Sequence, residues 1–222
     1  MIEGMFRIVP DLPNIAAGAW ITIAVTAISM LCGCAVGLIL AVTRLSRILG
    51  LTQLSIVWIE FFLLTPPLIH IIWAYYVLPI VTGLRIDAMT VVIIALTASV
   101  GAHMAEIFRG GLQSIPQSQH RAAAVLGLSR IDKYRFVILP QTLRLVLAPS
   151  TNVLVSLVKD TSLAAVIGLN EILHRAQLAA SLSFRFLETL TFAALLYVVI
   201  TYPLILLARW LEKRSARGFV SV

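Results

Sequence analysis

The sequence holds four histidines and two cysteines, and neither type is spaced for catalysis or metal binding. No serine, histidine and aspartate are set out as a nucleophile with its base. No histidine pair brackets a glutamate, and no two carboxylates are arranged to share acid–base work. The chain is therefore not expected to be an enzyme. Cys32 and Cys34 lie inside an apolar run and read as packing residues. A glycine-rich loop ending in Gly-Lys-Ser/Thr is missing, so ATP is not expected to bind by that route. What remains are ionisable groups in or beside apolar stretches: His70, His103, Glu106 with Arg109, and the adjacent Lys159 and Asp160. Such a group deep in hydrocarbon costs several kcal/mol unless paired or wetted. His70 thus either faces a polar path or sits neutral against a neighbouring helix. His103, less than two turns from the end of its run, reads as structural. Glu106 and Arg109 share a helix face, whereas Lys159 and Asp160 cannot face each other and mark the end of a span or a break in it.

The elements that position these groups are membrane helices. Hydrophobic residues make up 60% of the 222 and charged residues 12%, with a mean hydropathy of +0.99. Soluble domains hold about 25% charged residues, so lipid must be the solvent here. A crossing helix needs roughly 20 apolar residues, and runs at about 12–43, 51–81, 88–108, 143–169 and 189–208 qualify. The fourth is the weakest, because Lys159 and Asp160 interrupt it, and Pro149 is expected to break it where it lines a cavity. Gly33 and Gly37, at Gly-x-x-x-Gly spacing, are expected to pack helices.

Five crossings put the termini on opposite sides. Arg44 and Arg47, then Arg109, Arg121, Arg130, Lys133, Arg135 and Arg144, then Arg209, Lys213, Arg214 and Arg217 all fall on one side. The other side carries Arg7, Arg85, Lys159, Arg175 and Arg185 beside Glu3, Asp11, Asp87, Asp160, Glu171 and Glu188. The positive-inside bias places the N-terminus outside and the C-terminus in the cytoplasm. The isoelectric point near 10.0 is thus mostly cytoplasmic flank, which removes the main support for nucleic-acid binding. Met1–Pro13 lacks the basic start and cleavage site of a signal peptide. The chain reads as one all-α membrane domain over 1–222, without repeats.

The longest cytoplasmic connection spans about 109–141. Gly110-Gly111 is expected to release the preceding helix, Ser114-Ile115-Pro116 to turn, and Ser114 or Ser118 to cap a second helix. That helix runs to about Gly127, and a further short one leads from Leu128-Ser129 to Pro140. Ala122, Ala123, Val125 and Leu126 give it a small, mildly apolar surface amid basic residues. A basic helix lying on acidic lipid would carry Trp, Phe or Leu there, so a ridge that docks into a protein groove fits better.

Ala122-Ala123, Gly127 and then Val137-Ile138-Leu139-Pro140 resemble the EAA loop of ABC importer membrane subunits. Glu60-Phe-Phe before Thr65-Pro66, Glu106-Ile-Phe-Arg-Gly-Gly-Leu-Gln-Ser-Ile-Pro116 and Leu139-Pro140-Gln141 are similar to the histidine/glutamine type of polar amino acid permeases. Lys159-Asp160-Thr161-Ser162-Leu163, Ile167-Gly168 and Glu171 extend the resemblance over about 17–211. It implies a type I ABC importer permease fold with five transmembrane helices and a cytoplasmic coupling helix, in the bacterial cytoplasmic (inner) membrane.

The resemblance also assigns roles. Arg121, Ala122, Ala123, Leu126, Gly127, Leu139 and Pro140 would couple to the ATPase; His70, Thr65, Lys159 and Asp160 would line the translocation path; Glu60, Glu106 and Arg109 would hold structural interfaces. ATP and Mg would be bound by a partner ATPase dimer, with no cofactor on this chain. A binding protein, periplasmic or lipid-anchored, would deliver the amino acid.

Two positions depart from the pattern: Leu63-Leu64 stands where Arg-Gly is usual, and Arg121 stands where the loop usually carries an acid. The reversed charge implies either a compensating ATPase surface or a second, different permease bearing the glutamate, which favours a heterodimer over a homodimer. Two other classes compete with this reading. An ion-coupled carrier or channel subunit would need midplane acids, and the spans offer chiefly His70. A membrane-embedded enzyme would need the catalytic set that is missing.

Overall fold

The computed structural model describes residues 11–46 and 48–216, with side chains to 214. Glu3, Arg7, Arg47 and Arg217, which entered the charge comparison, and the Met1–Pro10 part of the leader assessment lie outside the described residues. Every regular element described is helical. The helices are α1 (Leu12–Leu45), α2 (Leu49–Leu64), α3 (Pro67–Thr82), α4 (Ala88–Gln113), α5 (Gln117–Val125), α6 (Arg130–Ile167), α7 (Ile172–Ser183) and α8 (Phe186–Ala216). By length and composition α1, α4, α6 and α8 can each cross a membrane, and α2 with α3 form a fifth candidate bent by 104°.

That bend separates the structure from the expected straight run at 51–81. Thr65 and Pro66 are extended, Pro67 opens α3, and no helix carries across them. A proline drives its predecessor out of the helical region and offers no N–H, so consecutive prolines after Thr65 make an elbow. His70, expected near the middle of a span, therefore lies in the first turns beyond the elbow.

Packing centres on α1 against α4. Val25, Val91, Val92, Leu96, Val100 and Met104 are core residues at this contact. Gly33 and Gly37 bring the two helices together as their spacing implies. A Cβ on Gly37 would meet Met104 Cβ at 2.6 Å and the Gly101 carbonyl at 2.9 Å, and one on Gly33 would collide with Val100. Gly37→Val is expected to overpack this seam by about 1–3 kcal/mol, read as a lowered melting temperature of the purified transporter. An unchanged melting temperature would show the seam to be looser than its geometry.

The 109–141 connection differs from expectation in three places. Helix α4 continues through Gly110-Gly111 to Gln113. A mid-helix glycine costs only about 1 kcal/mol against alanine, and Gly111 lets α6 approach: a Cβ there would meet Val146 at 2.5 Å. Ser114 does not start the next helix but closes the previous one, its Oγ donating to Gly111 O at 2.9 Å. Helix α5 begins after Pro116 without a side-chain cap, and Ser118 lies inside it. The third difference is α6, which starts from a Ser129 cap accepting the Asp132 N–H and runs past Pro140 without a break.

Prolines explain the local form of α3 and α6. Trp73–Val77 and Lys133–Ile138 are π-helical, and each stretch ends two residues before a proline, Pro79 or Pro140. A proline ring clashes with the carbonyl four residues back, and widening the preceding turn relieves the clash without ending the helix. Pro149, exposed on α6, does not break it. The change comes instead after Asp160, where the α-helix tightens into a 3₁₀ segment, Thr161–Ile167, that ends at Gly168 with φ +80°. The α-helix thus carries through Lys159-Asp160 and changes form immediately after them.

Helix α4 starts on an Asp87 cap. Thr90 N donates to its Oδ1 at 3.0 Å and Thr90 Oγ1 to its Oδ2 at 2.6 Å. The Thr90 hydroxyl, then the Thr90 N–H, hold this carboxyl below the ordinary aspartate range.

Candidate functional site

Three polar regions stand out. The first lies where α1 and α4 end, α5 turns and α6 begins. Ala123 is 2% exposed and seats α5 on the bundle, flanked by the buried Ile115 and Ile138. Gly127 closes the helix at φ +69°, a conformation that glycine adopts without the Cβ penalty. The closure carries Leu126 N to Ala122 O at 3.1 Å and Gly127 N to Ala124 O at 3.0 Å. Behind it, Gln141 Nε2 donates to Val137 O at 2.9 Å and reaches Gln119 Oε1 at 3.5 Å.

The outward result is an apolar tip. Val125 is 88% exposed and Leu126 76% exposed, with Arg121, Ala122, Ala124 and Gly127 exposed around them. Leu139 and Pro140 are exposed too, and they stand on α6 just after its π-helical stretch.

A charged brace holds the helix that leads into α5. Glu106 accepts from Arg44 on α1, and from Arg109 through Nε at 3.1 Å and Nη2 at 2.5 Å. Arg109 Nη1 also donates to Gln113 Oε1 at 2.6 Å. The Glu106–Arg109 pairing follows from their spacing; the part played by Arg44 does not. Its one signal is position, as the charge ending the first apolar run on the side where Glu106 sits.

The second region surrounds the elbow. His70 is buried, its Nε2 is bonded to Thr65 Oγ1, and its ring lies 4.6 Å from that of Phe62, centroid to centroid. Its Nδ1 is buried without a hydrogen-bond partner. The next residue, Ile71, packs in one core with Ala164 and Ile167, so this turn lies beside the 3₁₀ segment that follows Asp160. The His103 imidazole on α4 and the Lys159 ammonium are within electrostatic reach of Asp160, and His103 Nδ1 is 2.9 Å from Ser99 O. His70 and Thr65 are thus brought together, with Lys159-Asp160 at the start of the neighbouring segment. Glu60 is exposed on α2, next to Ile59, which packs with Ala102 and Ala105 of α4.

Sequence reasoning missed the third region. Glu171 is fully buried and caps α7, its Oε2 accepting from Leu173 N at 2.9 Å and its Oε1 from His174 N at 2.7 Å. Tyr197 on α8 donates its hydroxyl to Oε2 at 2.5 Å. Burial pushes the Glu171 carboxyl above the usual range, against the downward pull of the Tyr197 hydroxyl and the two N–H groups. Helix α1 joins the knot: a Cβ on Gly18 would come within 2.7 Å of the Glu171 and Ile172 backbone. An acid just before an apolar helical run was the available signal, since capping needs that placement.

The described residues form a bundle of candidate membrane helices with an elbow and an exposed apolar loop tip. Residues 33–217 match the family described as the binding-protein-dependent transport system inner membrane component, and the chain belongs to that family. It is a non-enzymatic, inner-membrane permease component of ATP-driven import. It is 34% identical over 206 residues to the glutamine transport system permease protein GlnP of Escherichia coli (strain K12), covering 92% of this chain and 94% of that protein. It is 37% identical over 202 residues to the probable glutamine ABC transporter permease protein GlnP of Bacillus subtilis (strain 168), covering 89% and 92%. Among solved structures, a chain of an amino acid ABC transporter with histidines superposes with a TM-score of 0.89 at 27% identity, covering 95% of this chain and 98% of that one. The fold is that of a type I ABC importer permease.

Proposed function

We propose that this chain is one half of the membrane-spanning pair of an importer for polar amino acids, with its N-terminus outside and its C-terminus in the cytoplasm. The observation that carries the reading is the apolar tip of α5, with Val125 and Leu126 bare and Ala123 anchored. Such a tip suits a groove on a separate ATPase dimer, which would supply ATP and Mg. Arg121, Ala122, Leu126 and Gly127 form the docking face. Ala123 anchors it from below, and Leu139-Pro140 act from behind, as the joint between docking helix and span.

Movement of α5 reaches the bundle through two rigid links: the Ile115 and Ile138 anchors, and the Glu106 brace to α1. Closure of the ATPase pair would pull both and reorient the spans about the elbow, opening the path past Thr65, His70, Lys159 and Asp160 to a binding protein outside. Such a switch needs a differential affinity for the two states, which ATP on the partner supplies. The relatives named for glutamine and the solved neighbour's amino acid support a polar amino acid as cargo. Arg121 in the docking face favours a second, different permease that carries the complementary acid, so a heterodimer. The single domain is 1–222, with 109–141 as its coupling connection.

The test is uptake of radiolabelled glutamine into vesicles holding the chain, a second permease, the ATPase and the binding protein. Uptake should require internal or external ATP on the ATPase side and the binding protein on the other. Uptake that survives without ATP or the ATPase would overturn the reading in favour of an ion-coupled carrier. A fully coupled complex that contains only this permease would overturn the heterodimer.

A further inference from the structure

We propose that a groove between α6 and α8 is a binding site for an anionic phospholipid. The groove has a volume of about 500 Å³ and is lined by Arg144, Leu147, Trp210, Leu211 and Arg214. Its polarity is ordered along the helices. Ala193 on α8 packs in one core with Ile172, whereas Asn152 on α6 bonds Glu212 further along α8 at 3.3 Å, so α8 runs back along α6. Arg144 precedes Leu147 by about one turn, and Arg214 follows Trp210 and Leu211 by about one turn. The lining thus combines two guanidinium groups with two leucines and an indole.

A phosphodiester headgroup suits the two arginines, and an acyl chain suits the leucines and the indole. Arginine offers a planar fork of donors that matches phosphate, and basic pockets between helices at the cytoplasmic face suit anionic headgroups. The Arg214 guanidinium lies 5.1 Å from the Trp210 ring centroid, which holds it beside the indole at the groove. Arg209 and Lys213 add positive charge to the same end of α8. Glu212, the acid in that turn, is engaged by Asn152 and is not among the lining residues. The cytoplasmic placement rests on the proposed orientation; the make-up of the lining does not.

Trp210 is the built-in probe. The complete transporter is prepared with Trp20, Trp58 and Trp73 of this chain, and every tryptophan of the partner subunits, changed to phenylalanine, and is placed in nanodiscs of phosphatidylcholine with a fraction of brominated lipid. Brominated phosphatidylglycerol should associate with the site on the order of tenfold more strongly than brominated phosphatidylcholine, judged by quenching of Trp210. The double variant Arg144→Gln/Arg214→Gln should lose that preference while retaining quenching by brominated phosphatidylcholine, which shows Trp210 still embedded. Equal quenching by the two lipids, or a preference unchanged in the double variant, would overturn the proposal. Displacement by millimolar inorganic phosphate would also overturn it, in favour of a free-phosphate site. Trp210 that no lipid reaches in the complete transporter would show a protein partner over the groove. The readout is independent of uptake, so its failure and failure of the transport reading are distinguishable.

Discussion

Replacing Val125 and Leu126 together by aspartate is expected to abolish ATP-driven uptake while leaving the chain folded in the membrane. Both side chains are largely bare in the isolated chain, so their loss takes little from the fold. In the docked state each would be covered, and burying a side chain of this size is worth about 1.5–3 kcal/mol. Losing two such contacts costs about 3–6 kcal/mol, more than about a hundredfold in affinity for the ATPase. Carboxylates placed in the groove add a desolvation cost. The measurements are co-purification of the ATPase and hydrolysis stimulated by the binding protein; retention of both would sink the docking assignment. Arg121→Glu separates charge from contact. It should change stimulated hydrolysis with ATPase co-purification intact, and unchanged hydrolysis would make Arg121 peripheral.

Glu171→Ala is the second large effect, this time on stability. The carboxylate is fully buried and satisfies two N–H groups at the start of α7 and the Tyr197 hydroxyl. Loss of a helix cap costs about 1 kcal/mol, and each buried donor left unsatisfied adds about 1–3 kcal/mol. Water entering the vacated space recovers part of this, which leaves a net cost of about 3–5 kcal/mol. The expected readout is a large fall in the melting temperature of the purified transporter. Tyr197→Phe, which strands one oxygen with other partners remaining, should give a much smaller fall. Equal effects of the two changes, or none from Glu171→Ala, would mean the knot is not held by the carboxylate.

Much of this was legible from apolar runs and flanking charge, because lipid forces helices to be long and their ends to be marked. The seam at Gly33 and Gly37 and the stop at Gly127 were legible because a glycine in each place answers a steric demand. The elbow at Thr65-Pro66 was hidden by continuous hydrophobicity: a bent helix in lipid needs as many apolar residues as a straight one. The continuity of α4 across Gly110-Gly111 was hidden because a glycine can release a helix or admit a neighbour, and only Val146 decides which. Arg44 at Glu106 and Tyr197 at Glu171 join residues far apart in sequence, so neither pairing has a local pattern. The apolar tip itself was legible as composition.

The π-helical stretch before Pro140 also sets an angle. An α-helix advances by about 100° per residue, and a widened turn accommodates one residue more than its α-helical equivalent. The face that α6 shows to the docking loop is therefore phased against the face it shows in the membrane by that single residue. Shortening the stretch would leave every contact residue present and the hydrophobic length nearly unchanged. It would nonetheless turn the two halves of the helix against each other like a misindexed shaft.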